Sequence, residues 1–499
     1  MKKYLLGIDN GGSMTKCAVF DLKGNEIAVA SVRIPLIEPQ AGWTERDLNE
    51  VWEGNAKVIS EAVKKAGVSP DEIIGIGLTG YGNGICFVDK EGNPVYNGVV
   101  SSDNRGADLC TRLADEGVQD AIYHLTYQEF WPAQTAIMMV WFKENMPEVL
   151  EKTTYVLSIK DFIRMKLTGN PCYEVTETTC NGLMNIHTQE YDPDIFKALG
   201  LSEYMDRMPK YAGVTEVSGR VTEEAAKKTG LTAGIPVAGS CYDVNTGALA
   251  SGILDDDTLC MIAGTWSINE HLTKELIDGA NSIARSYHPD YYILEESSPT
   301  SASNFEWFVE SFLEPDRPGV SKGTLYDECN RLVDSIPPED SDVIFIPYLF
   351  ASATHPDAKG AFFNLTSYNN RGHVIRSIYE GIVFSSKVHV KRLMEGGKTF
   401  KSAKLSGGIT KSEVWSQMVC DIFQMPLEVS AASEPGALGA AMCAAIAGGA
   451  YKNYDEAVKE MVHMKKTYYP NKEKAEIYNK KFAAYEKALA ALDFFYTEE

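Results

Sequence analysis

A short stretch near the start of the chain combines the residue types that bind a phosphate tail. Residues 6–16 close an apolar run on Asp9 and continue through a turn of small residues. Glycines in such a turn let the backbone approach a ligand closely, and the amide dipoles stabilise an anion. Asp9 stands at the strand end, where a carboxylate can orient Mg2+ through water. The candidate phosphate residues beside it are Gly11, Gly12, Ser13, Thr15 and Lys16.

Two widespread phosphate motifs are absent from this stretch. The sequence contains no G-x-x-x-x-G-K-[ST] pattern. A predicted strand follows the glycines, whereas a helix follows them in a dinucleotide-binding fingerprint. An ordinary glycine-rich hairpin turn is the alternative interpretation. The motif alone leaves both a phosphate site and a plain turn open.

The composition favours a soluble protein without a polyanionic partner. The 499 residues are 44% hydrophobic and carry a formal net charge of −22. Nucleic acids and anionic membranes bind basic faces, so neither is expected as a partner. The ten cysteines form no C-x-x-C pair, and the chain enters a strand without an apolar leader. These features predict a reduced, cytoplasmic protein.

The elements that must position these residues alternate between strands and helices in two successive halves. Strands are predicted at 4–9, 16–21, 26–34, 73–79, 236–239 and 258–263. Helices are predicted over 47–67, 134–150, 244–252, 370–395, 412–423 and 471–493. In the first of them, apolar residues recur every three to four positions. Each half opens with a strand, a small-residue tip and another strand. We place the boundary near residue 250, which gives domains 1–250 and 251–499.

Several stretches, taken in order, resemble the FGGY family of carbohydrate kinases. They are residues 7–16, 102–105, 239–243 with 264–267, and 405–421 with the preceding helical stretch 376–381. Each is weak alone, but jointly they span nearly the whole chain. The resemblance implies an α/β fold of two actin-like (ribonuclease H-like) domains around a central cleft. The sugar would bind on the N-terminal side and the nucleotide on the C-terminal side, with ATP and Mg2+ as cofactors.

Asp243 is the catalytic base that the resemblance implies. Phosphoryl transfer to a sugar needs a carboxylate that accepts the hydroxyl proton. Asp243 follows a predicted strand and precedes a segment of small residues, so it can project into the cleft. The catalytic Asp of the family falls at this position. On the residues alone, an N-cap of the 244–252 helix is an equal alternative.

The resemblance assigns two further loops to the nucleotide. For the loop at 264–267, the alternative interpretation is a plain turn. For Asp9, described above, the alternative is a carboxylate that caps a turn. The glycines at 407–408 would let the chain pass flat against the adenosine. The residues matched to the nucleotide are Gly264, Thr265, Ser267, Gly407, Gly408 and Ser412.

On the sugar side, Asp103 and Arg105 match the D-x-R stretch of the family. Carboxylate and guanidinium groups suit contacts with hydroxyls, and a surface ion pair is the alternative. Tyr81 and Gly82 follow the strand at 73–79, where many members of the family carry a Met-His or Gln-Gly step. We expect Tyr81 to stack on the sugar or to bond it, and Gly82 to lie beside it.

The leading hypothesis is an ATP-dependent kinase of a ketopentose, with L-xylulose ahead of D-xylulose, L-ribulose and glycerol. A non-catalytic sugar sensor on the same fold would lack the base or a phosphate loop, and this sequence has both. The pair Asp103 and Arg105 argues against a chaperone-type or cytoskeletal ATPase. The expected partner is a small-molecule sugar, and a homodimer is expected from the family.

Overall fold

Two large β-sheets, one from each half of the chain, dominate the molecule. The computed structural model describes residues 3–264, 266–276, 283–288, 291–350, 352 and 357–497. Strands and helices alternate along these ranges, which confirms the predicted α/β class. Within them, no helix combines the length and the hydrophobicity that a membrane crossing requires.

The first half contributes one six-stranded sheet and several two-stranded ones. Its strands are β1 (Tyr4–Asn10), β2 (Thr15–Asp21), β3 (Glu26–Val32), β4 (Glu45–Arg46), β5 (Ile73–Gly80), β6 (Cys86–Val88), β7 (Gly98–Val99), β8 (Tyr155–Leu157), β9 (Tyr173–Glu174), β10 (Met184–Asn185), β11 (Glu190–Tyr191), β12 (Tyr211–Ala212), β13 (Val217–Arg220) and β14 (Pro236–Ala238). Its helices are α1 (Leu48–Ala66), α2 (Ala107–Asp115), α3 (Val118–Thr126), α4 (Thr135–Asn145), α5 (Pro147–Lys152), α6 (Ile159–Thr168), α7 (Val175–Cys180), α8 (Pro193–Ala198), α9 (Glu223–Thr229) and α10 (Asp243–Ala250).

The second half contributes a seven-stranded sheet and its covering helices. Its strands are β15 (Thr258–Ala263), β16 (Ser267–Thr273), β17 (Ile283–His288), β18 (Tyr291–Ser298), β19 (Ile344–Ile346), β20 (Ala361–Phe363), β21 (Ser402–Ser406), β22 (Leu427–Ser430) and β23 (Met464–Tyr468). Its helices are α11 (Ser303–Phe308), α12 (Lys322–Asp334), α13 (Arg371–Leu393), α14 (Glu413–Phe423), α15 (Pro435–Ala447), α16 (Tyr454–Met461) and α17 (Ala475–Thr497).

The two sheets repeat one strand pattern. Their orders are β13-β14-β5-β1-β2-β3 and β17-β18-β16-β15-β21-β22-β23. In the first sheet the hairpin β1–β2 continues antiparallel into β3, while β5 and β14 add parallel strands on the other side. In the second, β15–β16 continues antiparallel into β18, while β21 and β22 add parallel strands. The similar tips of the two halves in the sequence therefore belong to equivalent hairpins.

Helix α1 shows how local sequence sets the layer on one face of the first sheet. The Asp47 side chain caps its first turn by accepting from the amides of Asn49 and Glu50. Gly67 ends the helix in the left-handed conformation, with φ of 64°, which costs glycine little. The buried side chains of Val51 and its neighbours at helical spacing pack under β2 and β3. The predicted helix over 47–67 is confirmed.

Helices α10 and α15 form a central layer between the two sheets. A single apolar cluster joins Leu5 of β1, Leu249 of α10 and Met442 of α15 with Cys260 of β15. Helix α15 packs mainly on β1 and β5 of the first sheet, although it lies near the end of the chain. The sequence analysis did not predict this helix. Its run of small residues gives little periodicity, because almost every face of it is buried.

Glycines allow α15 to lie directly on the strands. A Cβ on Gly7 would stand 1.8 Å from the carbonyl oxygen of Ala437, and one on Gly77 would stand 1.9 Å from that of Ala440. A Cβ on Gly439 of α15 would stand 2.2 Å from the carbonyl oxygen of Thr246 on α10. The helix and its neighbours thus touch backbone to backbone, and no larger residue fits at these positions.

We predict that Gly77→Ala destabilises the protein. The added methyl overlaps a backbone carbonyl that cannot rotate away, and overpacking of this kind costs about 1–3 kcal/mol or more. The measurement is the urea midpoint of unfolding. Gly323→Ala in α12 is the matched control, because only one side-chain atom, at 3.8 Å, lies within 4 Å of its Cβ position. Equal midpoints for Gly77→Ala and the wild type would contradict this packing.

Candidate active site

The turn between β1 and β2 exposes backbone amides at its tip. Gly12 and Ser13 are exposed, and the amide of Gly11 donates to the carbonyl of Met14 at 3.0 Å. Arg46 donates from Nη2 to the Gly12 carbonyl at 2.5 Å and from Nη1 to the Gly11 carbonyl at 3.4 Å. No hydrogen bond in the described structure uses the amides of Gly12 or Ser13. The tip therefore holds its carbonyls to one side and keeps two amide donors free.

Polar neighbours fix the rest of this hairpin. Thr15 is buried, and its hydroxyl donates to Asn10 Oδ1 at 3.4 Å. Lys16 forms an ion pair of 2.7 Å with Glu434, which directly precedes α15. In this structure Lys16 thus ties the first tip to the far end of the chain.

Asp9 lies against the first turn of α15. A Cβ on Gly436 would stand 2.7 Å from Asp9 Oδ2. The positive end of a helix dipole favours an anion at this place. Burial raises the pKa of Asp9 to about 6, the charge of Lys16 lowers it, and Glu434 raises it. Gly436 leaves the carboxylate the room that a side chain would take.

Asp243 begins α10, and its carboxylate is electrostatically coupled to Asp9. Burial raises the pKa of Asp243 to about 7, and the negative charge of Asp9 is the next largest contribution. The Asp243 carboxylate accepts the amide of Val244 at 2.8 Å, which lowers the pKa. The N-cap of α10 is Tyr242, so the N-cap interpretation of Asp243 is wrong. The charges of two carboxylates that are far apart in the sequence thus interact here.

Hydrogen bonds to two elements, β5 and α7, fix the loop that carries Asp243. The hydroxyl of Ser240 accepts the amide of Leu78 at 2.8 Å. Thr79 donates to the carbonyl of Cys241 at 2.9 Å. The Tyr242 amide donates to the hydroxyl of Thr176 on α7 at 2.9 Å. Ser240 has φ of 65°, a strained conformation for a serine, and the bonds on either side of it hold it there.

The second tip lies between β15 and β16. The amide of Gly264 donates to the carbonyl of Trp266 at 3.1 Å. Ser267 is buried, and its hydroxyl accepts from Asn269 Nδ2 at 3.3 Å. Thr265, which the sequence analysis assigned to this loop, lies outside the described residues.

The glycines after β21 stand against this second tip. Gly407 has φ of 94°, and a Cβ there would stand 2.5 Å from the carbonyl oxygen of Ala263. Gly407 and Gly408 are both exposed. Ser412 is farther along and caps α14, with its hydroxyl accepting the Trp415 amide at 3.1 Å and donating to Asn330 at 2.7 Å. The structure thus brings Gly264, Gly407 and Gly408 together, while the Ser412 hydroxyl is already engaged.

Asp103 and Arg105 form a buried pair. Arg105 Nε donates to Asp103 Oδ1 at 2.8 Å, and Arg105 Nη2 donates to Glu45 at 2.7 Å. The guanidinium also lies 4.1 Å from the ring centre of Trp43. The Asp103 carboxylate accepts the amide of Thr44 at 2.6 Å. The surface ion-pair interpretation is therefore wrong, and the pair holds the segment that leads into Arg46.

Tyr81 and Gly82 lie between the first tip and Asp243. The Tyr81 amide donates to the carbonyl of Asn10 at 3.1 Å, and the Arg46 guanidinium stands 5.8 Å from the centre of the Tyr81 ring. Gly82 touches the ring of Tyr242. The two residues predicted for the sugar side thus contact the residues next to both aspartates in the sequence, Asn10 after Asp9 and Tyr242 before Asp243.

Two further residues, Arg46 and Gly436, contribute to this site without having been predicted from the sequence. Arg46 was given no role, because nothing in the sequence indicates that its guanidinium reaches the carbonyls of Gly11 and Gly12. Gly436 was missed together with α15, although the proline at 435 is a frequent helix start. Both act from outside the segments that carry the glycine tips.

The carboxylates of Asp9 and Asp243 suit a magnesium ion, which needs few protein ligands, better than a metal whose ligands all come from the protein. No cluster of three or more His, Cys, Asp or Glu side chains able to hold a metal occurs in the described part of the chain. Mg2+ keeps several waters and takes one or two carboxylates together with substrate phosphates. Asp9, half-buried beside a free-amide tip, fits that donor set.

Comparison with known proteins gives one consistent family. The model of the FGGY family of carbohydrate kinases, N-terminal domain, matches residues 4–250, and that of the C-terminal domain matches residues 259–448. The L-xylulose/3-keto-L-gulonate kinase of Escherichia coli (strain K12) is 33% identical over 99% of this chain and 98% of its own length. A probable L-xylulose kinase of Haemophilus influenzae is 33% identical over 98% and 99%. Gluconate kinase from Lactobacillus acidophilus has the same fold, with a TM-score of 0.90, 22% identity and 99% coverage of both chains.

We predict that Asp243→Asn stabilises the ligand-free protein more at pH 8 than at pH 5. The folded pKa of about 7 lies above the ordinary value of 3.8. The folded state therefore holds this proton more tightly, and the stability that the proton contributes is lost as the pH rises through 7. An asparagine removes this loss. Melting temperatures in metal-free buffer at both pH values are the measurement.

The matched control for this prediction is Asp115→Asn. Asp115 is exposed at the end of α2, far in sequence from the site. The Asp115→Asn variant should change the melting temperature by the same amount at pH 5 and at pH 8. A pH-independent difference for Asp243→Asn would contradict the raised pKa.

Proposed function

Because the chain belongs to the FGGY family of carbohydrate kinases, we propose that it transfers the γ-phosphoryl group of ATP to a hydroxyl of a ketopentose, with L-xylulose as the preferred substrate. That the protein is a sugar kinase with ATP as its cosubstrate follows from the family. The choice of L-xylulose is supported by the names of two full-length relatives at 33% identity. The terminal hydroxyl is the proposed acceptor.

The observation that carries the mechanism is the electrostatic coupling of Asp9 and Asp243. Asp9 lies against the first turn of α15, and Asp243 is the first residue of α10. Asp243 has a pKa raised to about 7, which suits a general base at neutral pH. It would accept the proton of the sugar hydroxyl as that oxygen attacks the γ-phosphorus. The amide of Val244 stabilises its charged form. Asp243 would thereby also orient the acceptor hydroxyl.

The two tips are proposed to hold the phosphate tail. The free amides of Gly12 and Ser13 would donate to its oxygens, and Gly264 and Ser267 would face it from the second half. Thr265 is assigned to the same loop by the family resemblance alone. Asp9 would hold Mg2+ through water, and the ion would neutralise the phosphate charge. Thr15 and Lys16 support the first tip, the first from within the hairpin and the second through Glu434.

The nucleoside end is proposed to lie along 407–408. Their exposed glycines beside the second tip leave a flat surface of backbone. Ser412 would contribute through its position at the start of α14, since its hydroxyl already bonds Asn330. Closure of the two halves over both substrates would exclude water and limit wasteful ATP hydrolysis.

On the sugar side, Tyr81 is the proposed contact, with Gly82 beside it. Asp103 and Arg105 are proposed to act here through the segment they hold, because both side chains are fully enclosed. A cytoplasmic location, a homodimer and a division of the chain near residue 250 stay predictions. So does the absence of a nucleic-acid partner.

A sugar sensor without catalysis is the second candidate function, and the raised pKa of Asp243 disfavours it. A binding module has no need of a carboxylate kept at high cost beside a second one, whereas a general base does.

We predict that Asp243→Asn lowers kcat for sugar phosphorylation by about 100-fold to 10,000-fold, because a general base contributes that much. The measurement is ADP release with Mg2+ and a panel of L-xylulose, D-xylulose, L-ribulose, glycerol and sugar acids. ATP binding should persist in the variant, and Asp115→Asn should keep full activity. Undiminished turnover by Asp243→Asn would remove it as the base, and no turnover by the wild type on any sugar would favour the sensor.

We predict that Arg46→Gln raises the KM for ATP roughly tenfold and the KM for the sugar by less. The charged hydrogen bonds that aim the Gly11 and Gly12 carbonyls away from the cleft are lost, and such bonds contribute about 1.5–3 kcal/mol. Steady-state kinetics with each substrate varied are the measurement. Arg33→Gln, an exposed arginine, is the control. An unchanged KM for ATP would show that the tip holds its conformation without Arg46.

A further inference from the structure

Gly82 and Tyr242 interlock beside the proposed base. A Cβ on Gly82 would stand 1.5 Å from Cε2 of Tyr242 and 2.2 Å from Cδ2. Gly82 does not have a left-handed backbone, so conformational freedom is not the reason for a glycine here. The reason is space, because the tyrosine ring occupies the volume that a side chain at position 82 would fill.

Contacts on its other sides fix the Tyr242 ring. The Arg285 guanidinium lies 4.6 Å from the ring centre, within the range of a cation–π contact. Arg285 is itself paired with Glu295 on the neighbouring strand. The ring also packs with Cys180 and Val244 in a small apolar cluster. The ring is therefore held between the first half, through Gly82, and the second half, through Arg285.

The Tyr242 side chain still has unused capacity toward a ligand. It is 8% exposed, and the hydrogen bonds of Tyr242 within the described residues are made by its backbone. Its amide is fixed by Thr176, and the next residue is Asp243. The ring thus lies between Gly82, which follows Tyr81, and the start of α10, where Asp243 stands.

We propose that Tyr242 is the specificity-determining wall of the sugar pocket and that Gly82 is the residue that makes room for it, an inference that rests on the proposed function. An aromatic ring contacts the C–H groups of a sugar, and its hydroxyl can bond a sugar hydroxyl. The nearby charge of Arg285 is matched by Glu295. Because Glu295 already balances the charge of Arg285, this guanidinium offers a carboxylate no unpaired positive charge. Tyr242 and Gly82 thus select a neutral keto-sugar over a sugar acid.

The same contact sets the distance between the sugar and the base. Any side chain at position 82 displaces the ring, and the ring is joined covalently to the residue before Asp243. A misplacement of about 1 Å near reacting groups costs about 100-fold in rate. Residue 82 therefore controls both which sugar fits and how well its hydroxyl meets the carboxylate.

The test is a double-mutant cycle on the full-length enzyme with Gly82→Ala, Tyr242→Ala and the double variant. Kinetics on L-xylulose, D-xylulose, L-ribulose, glycerol and a sugar acid are measured with ATP in excess, and the KM for ATP is measured separately. We expect Gly82→Ala to lower kcat/KM for the preferred sugar by about 10-fold to 100-fold, with the KM for ATP unchanged. The double variant should be less impaired than additivity requires and should rank the sugars differently.

Additive losses with an unchanged sugar ranking would overturn the proposal. If Gly82→Ala does not fold, Tyr242→Leu decides, because it removes the ring without crowding position 82. A changed ranking in Tyr242→Leu supports the proposal, and the wild-type ranking overturns it. Gly323→Ala is the control glycine. The melting temperatures of the wild type, Gly82→Ala, Tyr242→Ala and the double variant test the contact between residues 82 and 242 without requiring catalytic activity. A failure of the proposed function is therefore distinguishable from a failure of this inference.

Discussion

Direct backbone packing of α15 on β1 and β5 is the constraint on which the site depends. Because Gly7 and Gly77 have no side chain, the helix lies close enough for its first turn to reach Asp9. The same helix presses on α10 through Gly439, and α10 carries Asp243 at its head. One layer of close contact thereby brings together two carboxylates that lie more than two hundred residues apart in the sequence.

The electrostatic character of the site follows from that proximity. Burial raises the pKa of both carboxyl groups, and the negative charge of Asp9 raises the pKa of Asp243 further. A protein that needed only stability would not keep both. The positive groups of this region are the free amides of the first tip, the start of α15 at Gly436, and Lys16, which lowers the pKa of Asp9 and is paired with Glu434.

Much of the local structure could be predicted from the sequence, whereas the contacts across the chain could not. Periodicity predicted α1, and glycine tips between apolar runs predicted the hairpins, because both signals are short-range. Family resemblance singled out Asp243, whose role stays a prediction. Helix α15 escaped because its small residues have no periodic face, and the burial of Asp103 was missed because a charged pair gives no sign of its surroundings. The contact between Gly82 and Tyr242 could not be predicted, because the two residues are far apart in the sequence and meet only in the folded protein.

The position of α15 has a consequence for the synthesis of the chain. When the ribosome has delivered both strands β1 and β5, one face of the first sheet still lacks the helix that covers it, which follows after residue 434. That face carries Leu5, Ala18 and Phe20, all apolar and all buried in the finished protein. This surface stays open until residues 435–447 have been synthesised, and during that interval it is exposed to chaperones and to aggregation.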